Sequence, residues 1–496
     1  MGIIARQSIK RSILQLTGSL IGVVSLLFIY PLARESYGLA QFLLSTASLF
    51  AVIFSFGSTS VVIRYFPELR QKFSSSYLSI NLSLSIIVIL IMTVLIGVAK
   101  DPFFSFLATL GFKTPIIDKY IYIIYILAVL FIIIQIFIFQ SSNYKRVVIP
   151  YAIHELAFKI VLPILIFLSF INTINIEQIG LGLLFFYTFS LIANGLYLYK
   201  IGGFSISDSF IWDLPRKKIT EVLNYMGFSG LNIIGESITT QIDRIMIPML
   251  MTMSSNGIYS IFLFMSNTIA IPYTSMYPIA SPVLSESMQK GDMKNVESIY
   301  KKTSLNSLIA GVFIFVILWV NIREIVSIMH DKDKIIPFIN VFLFLSLAKL
   351  VDMVTSVNSF IIIYSKYFRY NLIFLLILAL SNIVLNYYFI NKYGIEGAAF
   401  ATLLSVIFYN TLKLIFIQLK FKINPFSRSV YYLTAISGVM VFIAGLLPEV
   451  QWVIISIAYK SIIVTGLFYI LIKIFRIDAE IIGSIEKMIL NLIRKK

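Results

Sequence analysis

The sequence predicts an all-α polytopic membrane protein of about 14 transmembrane helices, and three observations carry that prediction. Of 496 residues, 59% are hydrophobic and only 13% charged, with a mean hydropathy of +0.92. Soluble domains hold about 25% charged residues. Apolar runs of spanning length recur from one end to the other, and the basic residues between them gather on one side of the implied membrane.

A span needs roughly 20 mostly apolar residues. That criterion places helices at 12–33, 39–63, 76–98, 117–141, 147–170, 178–199, 222–249, 257–282, 304–329, 336–364, 370–390, 395–418, 430–447 and 452–474. The apolar piece from Phe103 to Phe112 is too short to span and reads as interfacial or re-entrant. The first run follows a basic N-terminus, Met1 to Arg11, but is long and lacks a small-residue cleavage signature. It reads as a retained first span.

Loop charges test the count. With the N-terminus inside, cytoplasmic segments receive Arg6, Lys10, Arg64, Arg70, Lys72, Lys145, Arg146, Lys218, Lys301, Arg369, Lys420, Arg428 and the tail through Lys496. Outer segments receive only Arg34, Lys100, Lys113, Lys119, Arg323, Lys332, Lys334 and Lys392. The bias predicts cytoplasmic termini and an even number of spans. A net charge of +17 then reflects topology and attraction to anionic membrane lipid rather than nucleic acid. The absence of cysteine excludes disulfides and thiolate sites, and two histidines, His154 and His330, leave little for a metal centre. No Walker motif or dinucleotide fingerprint is present, so no cofactor and no enzyme activity are expected.

A Gly- and Ser-rich polar link with Pro215 separates the sixth and seventh spans. Across it the halves resemble each other. Ser36-Tyr37-Gly38-Leu39 matches Ser255-Asn256-Gly257-Ile258, Tyr144-Lys145-Arg146 matches Tyr364-Ser365-Lys366, and Ile179-Gly180 matches Glu396-Gly397. Six spans separate the copies, so the repeats share one orientation. The expected organisation is an N-terminal lobe at 1–200, a cytoplasmic linker at 201–221, a C-terminal lobe at 222–420, and two further helices with a basic tail at 421–496.

Charges inside spans nominate the site. The seventh span carries Asn232, Glu236, Thr239, Thr240, Gln241, Asp243 and Arg244. A central ionised side chain costs roughly 2.5–3.5 kcal/mol in hydrocarbon, so this helix should face protein or a water-filled cavity. Glu236, Thr240 and Asp243 lie at i, i+4 and i+7 on one face. They form either a stripe that binds a coupling ion, Na+ or H+, or an ion pair with Arg244. Glu236 lies nearer mid-span, whereas Asp243 and Arg244 fall near the predicted outer end, where snorkelling is cheap. Glu155 and Lys159, at i and i+4, form a structural pair or line the cavity. Lys349 and Asp352, at i and i+3, sit deeper, and the plain alternative is a self-neutralising pair. Arg64 and Lys413 are cationic candidates for a diphosphate, arginine offering a bidentate fork and lysine a point charge. Lys460 has no obvious partner, and methionines such as Met249 and Met265 read as packing.

One run carries a resemblance. Asn391-Lys392-Tyr393-Gly394-Ile395-Glu396-Gly397-Ala398-Ala399-Phe400-Ala401-Thr402 resembles the Asn…Tyr-Gly-Ile-x-Gly-Ala-Ala-x-Ala-Thr signature of bacterial polysaccharide (O-antigen-type) flippases. Asp243-Arg244…Gly257-Ile258-Tyr259-Ser260 and the run from Gly57 to Phe66 resemble other parts of that family, which belongs to the multidrug/oligosaccharidyl-lipid/polysaccharide exporter superfamily. The resemblance implies two pseudo-symmetric six-helix lobes around a central cavity, in the bacterial cytoplasmic membrane. It implies translocation of a polyprenyl-diphosphate-linked glycan by alternating access, with glycan polymerase machinery as a candidate partner. The peptidoglycan-precursor branch of the superfamily uses a sodium site between its seventh, eleventh and twelfth spans. The corresponding oxygen donors here are Glu236 or Asp243, Asn382, Asn386 and Thr402, with no acid in the eleventh span. The alternative function is a cation-coupled multidrug exporter of the same superfamily. A membrane glycan polymerase or ligase would need catalytic residues on a sizeable outer loop, and the outer segments carry no acid/base constellation.

Overall fold

The computed structural model describes residues 3–68, 77–204, 213–448, 450–475 and 477. Part of the 201–221 link, Arg70, Lys72 and nearly all of the basic tail lie outside the described residues. Every described secondary-structure element is a helix. Among the described residues nine helices are long and apolar enough to cross a membrane, which makes this a multi-pass membrane protein. Each of the fourteen predicted segments falls on helix, although helices and predicted spans do not correspond one to one.

The chain divides into two compact units, Met1–Ser260 and Ile261–Lys496. The first contains α1 (Ile3–Phe28), α2 (Arg34–Ser55), α3 (Ser58–Arg64), α4 (Tyr77–Thr109), α5 (Pro115–Asn143), α6 (Val148–Phe170), α7 (Gln178–Lys200), α8 (Arg216–Leu250) and the first turns of α9 (Met253–Ile269). α8 packs along α2. Packing therefore groups α8 with the preceding helices and divides the chain at Ser260, later than the 201–221 link that the repeat suggests.

Two glycine contacts explain this grouping. The second predicted span breaks at Phe56-Gly57, both with positive φ (40° and 82°). A Cβ on Gly57 would lie 2.6 Å from the Met226 carbonyl oxygen, and one on Gly230 would lie 2.8 Å from the Phe56 carbonyl, so the two backbones touch. Such approach between membrane helices requires small residues. The end of α3 at Arg64 also leaves carbonyls that hydrocarbon cannot satisfy. Val62 O instead accepts from Tyr77 Oη (2.8 Å) and Asn143 Nδ2 (2.9 Å). The second contact joins the two copies of the repeat. A Cβ on Gly38 would sit 1.8 Å from the Met253 carbonyl oxygen, and one on Gly257 2.2 Å from that of Arg34. Asn256 Nδ2 also donates to Gly38 O at 2.8 Å.

One expectation fails in this unit. The piece from Phe103 to Phe112 is not a separate re-entrant segment, because α4 runs through Pro102 to Thr109. A membrane helix tolerates the lost proline donor where water or neighbours re-satisfy the freed carbonyl.

The second unit continues with α10 (Ile271–Gln289), α11 (Met293–Val320), α12 (Ile322–Ser327), α13 (Ile339–Thr355), α14 (Asn358–Ile363), α15 (Arg369–Phe421), α16 (Arg428–Gly445) and α17 (Val453–Ile474). The eighth predicted span is thus split at Ala270, between α9 and α10. α15 has 53 residues because two predicted spans join at Gly394, whose φ of 62° and ψ of −139° suit glycine alone. Past that fold a Cβ on Gly397 would meet the Phe389 carbonyl oxygen at 2.0 Å, so the small-residue run lets the two arms close. Leu284, Tyr300, Ile361 and Ile417 anchor the core beneath α15.

Candidate functional site

The first unit encloses a cavity of about 250 Å³ against α2, α5, α6, α7 and α8. Gln41 and Ser45 reach it from α2, His154 and Glu155 from α6, and Gln241 and Arg244 from α8. The Arg244 guanidinium is held by neutral acceptors. Its Nη1 donates to Gln41 Oε1 at 2.8 Å, and its Nη2 to Gln241 Oε1 at 2.5 Å and the Thr240 carbonyl at 3.3 Å. Gln41 and Gln241 thus fix the plane of the fork without cancelling its charge.

Three buried polar atoms around this cavity lack a hydrogen-bond partner among the described residues: Ser45 Oγ, His154 Nδ1 and Arg244 Nε. Buried polar groups are nearly always satisfied by protein, water or ligand. A cavity of this volume holds about eight waters, or a single diphosphate or sugar ring in their place. His154 and Glu155 are aimed here by a π-helical turn, Ala152–Leu156, closed by the Ala157 N–H bonding the Ala152 carbonyl. Such turns recur at functional sites. The turn leaves the Glu155 side chain exposed on the cavity wall, while Lys159 lies against Gly18 of α1. Of the two alternatives for Glu155 and Lys159, the ion pair is not formed, and Glu155 lines the cavity.

Other predicted residues separate in informative ways. Asp243 and Arg244 point to different sides of α8, as consecutive helical residues do, about 100° apart. Asp243 is 8% exposed and accepts a hydrogen bond from Tyr259 Oη in α9, while Arg244 faces the cavity. Glu236 is exposed, is not part of this cavity, and has no partner for its carboxylate among the described residues. Arg64 is exposed at the end of α3.

In the second unit Asp352 Oδ1 accepts from Asn410 Nδ2 at 2.8 Å, and Lys349 makes no contact ion pair with it, acting on it only as a nearby charge. Asn410 Oδ1 also accepts from Thr355 Oγ1 (2.8 Å) and Asn358 Nδ2 (3.0 Å), bridging the break between α13 and α14. Lys413 is fully buried, donating to Ser359 Oγ at 2.6 Å and to Tyr409 Oη. It is no open cation. Lys460, without an obvious partner in the sequence, forms a buried ion pair with Glu324, which also accepts from Ser456 Oγ at 3.0 Å. Asn386 Nδ2 donates to Asn382 Oδ1 at 2.6 Å, both buried on α15, and Thr402 is half-buried. Gln41, Ser45, Glu324 and Asn410 were missed. A polar residue in each of two consecutive turns of an apolar run, as at Gln41 and Ser45, is the signal that would have found the first two.

No protein-family model matches the chain, and no curated protein matches it. Solved structures do. The lipid II flippase MurJ, in an inward closed conformation, superposes with a TM-score of 0.69 at 19% identity, over 94% of this chain and 98% of that one. An inward-facing multidrug resistance MATE family transporter of the MOP superfamily gives 0.60 at 13% identity, over 83% and 98%. A MOP superfamily transporter from Pyrococcus furiosus gives 0.50 at 13% identity, over 85% and 95%. The fold is the one these transporters share.

Proposed function

We propose that the chain is a flippase that moves a polyprenyl-diphosphate-linked oligosaccharide across the bacterial cytoplasmic membrane by alternating access. The observation that carries this reading is Arg244, a membrane-buried guanidinium held by neutral acceptors with its Nε donor unused beside a polar cavity. An intramembrane charge whose hydrogen bonds go to neutral acceptors rather than to a carboxylate is costly and marks a substrate path. The ligand that suits it is an anion able to take two parallel N–H donors, as a phosphate does. The fold shared with a lipid II flippase over nearly the whole of both chains supports the same reading. Na+ or H+ is the coupling ion under this proposal, with Glu236 and Asp243 as the candidate groups in the first unit and, taken separately, Asn382, Asn386 and Thr402 in the second.

The test is a leaflet-accessibility assay of undecaprenyl-diphosphate oligosaccharide in proteoliposomes. Wild type should flip the lipid, and Arg244→Gln should slow it roughly 10- to 100-fold. Absence of flipping by the wild type for any lipid-linked glycan would sink the proposal. A second reading, export of organic cations, has its own support: the Glu155 carboxylate lies on the same wall as the rings of Phe131, Phe158 and Tyr187. Binding of a lipophilic cation that is abolished by Glu155→Gln and untouched by Arg244→Gln would favour it.

A further inference from the structure

The second unit carries a separate concavity of about 620 Å³ where α15 ends and α16 begins. Lys422, with φ of 58°, terminates α15 and turns the chain. Asn424 Oδ1 then accepts from the Phe426 N–H at 3.1 Å, and the Phe426 ring stacks on that of Tyr431 with centroids 5.9 Å apart. The chain re-enters as α16 at Arg428. One wall of the concavity is apolar: Leu414, Ile415 and Leu419 from α15, and Tyr431 from α16. Ile415, Leu419 and Tyr431 are 52%, 72% and 63% exposed among the described residues. On a membrane helix that wall is solvated by acyl chains.

The rim has the opposite character. Gln418, Asn424, Ser427 and Arg428 close one end. Ser427 Oγ is buried and has no hydrogen-bond partner among the described residues. Arg428 is exposed at the start of an 18-residue helix, whose N-terminal amides favour an anion. The charge around it is one-sided: Lys420, Lys422 and Arg428, all exposed, stand in a stretch, residues 397–448, without a single Asp or Glu. An apolar trough leading to a cationic, hydroxyl-bearing end matches a lipid with a negatively charged headgroup. A zwitterionic lipid would bring its own ammonium against Arg428.

We propose that this concavity binds an anionic phospholipid. The phosphate takes the Ser427 hydroxyl and the Arg428 guanidinium, and an acyl chain lies along Leu414, Ile415 and Leu419. The positive-inside reading puts Arg428 at the cytoplasmic leaflet, where anionic headgroups attract juxtamembrane basic residues. The site is independent of what the protein transports, so the flipping assay does not decide it.

The test uses the full-length protein in mild detergent, titrated with phosphatidylglycerol or phosphatidylcholine and read as lipid adducts by native mass spectrometry. Wild type should retain phosphatidylglycerol in preference to phosphatidylcholine. Arg428→Gln should lower phosphatidylglycerol occupancy about fivefold, the weight of one interfacial basic residue, and leave phosphatidylcholine unchanged. Arg428→Lys should restore most of it, and Leu419→Gln should weaken both lipids. Arg428 is exposed, so unchanged thermal unfolding of Arg428→Gln is expected and excludes misfolding as the cause. Equal retention of the two lipids, or equal phosphatidylglycerol occupancy in wild type and Arg428→Gln, would overturn the proposal. Displacement of the lipid by inorganic phosphate at equal concentration would also overturn it, because the acyl wall would then contribute nothing.

Discussion

Arg244 in the first unit and Lys460 in the second are both cations on membrane helices, and their partners differ in kind. Lys460 is matched by the carboxylate of Glu324, itself backed by Ser456, with no cavity beside them among those described. Arg244 is matched by two side-chain amides and a carbonyl, next to about 250 Å³ of space. The first arrangement neutralises a charge and ties α17 to α12. The second orients a charge through neutral acceptors, with no carboxylate hydrogen-bonded to it among the described residues. What distinguishes a structural cation from a binding cation in this molecule is the partner, not the depth.

The largest expected effect breaks the structural side of this comparison. Replacing Glu324 with Ala strands the Lys460 ammonium, and loss of one partner of a buried pair costs about 3–5 kcal/mol. Thermal unfolding in detergent should show a large drop for Glu324→Ala and near-recovery for Glu324→Leu combined with Lys460→Met. A single variant of wild-type stability would mean that the pair contributes nothing. Next in size is Arg244→Gln. A hydrogen bond to a charged group is worth about 1.5–3 kcal/mol, so flipping should fall roughly 10- to 100-fold while the unfolding midpoint moves little. Arg244→Lys, which keeps the charge but loses the fork, should recover only part of the rate.

The third prediction asks whether orientation matters apart from charge. Gln41→Leu removes one acceptor from Arg244 and leaves the guanidinium in place. A hydrogen bond to a charged group is worth about 1.5–3 kcal/mol, but two of the three acceptors remain to hold the fork, so only part of that, a loss of roughly two- to tenfold in flipping, is expected. If Gln41→Leu matches Arg244→Gln in severity, the amide is itself a substrate ligand rather than a positioning group.

The fold class was legible because hydrocarbon imposes a coarse rule: apolar length sets helices. Gly394 and Gly397 were readable for a similar reason, since backbone contact tolerates only small residues, and the turn stands where that run placed it. The match of Gly38 with Gly257 was visible as a repeat, but not that the two copies touch each other. The site was less legible. A charge in a span announces that it needs a partner and does not say which one. Asp243 looked like a member of the Glu236 stripe, yet Tyr259, 16 residues on, takes it. The spacing of Glu155 and Lys159 suggested an ion pair, and a single π turn, invisible in composition, aimed Glu155 elsewhere. Neutral Gln41 and Asn410 attracted no attention because hydropathy weighs amides like any other interruption, although they hold Arg244 and Asp352.

The smallest expected effect concerns a pair that spacing suggested and geometry denies. Lys349 and Asp352 are three residues apart on α13, but Asp352 is bonded by Asn410, which also receives Thr355 and Asn358. Asn410 thereby joins both sides of the break at Ser356, where a non-glycine residue adopts φ of 42°. Lys349 is half-buried and takes no hydrogen-bonded part in that network. Removing it leaves Asp352 bonded by Asn410 and takes away only a nearby charge, so Lys349→Met should lower stability by about 1 kcal/mol or less. Had the two residues formed a buried pair, the same substitution would cost several kcal/mol and be reversed by adding Asp352→Asn. A thermal-unfolding cycle over wild type, the two single variants and the double variant separates these outcomes, and a coupling near zero places Lys349 with neither the Arg244 kind of cation nor the Lys460 kind.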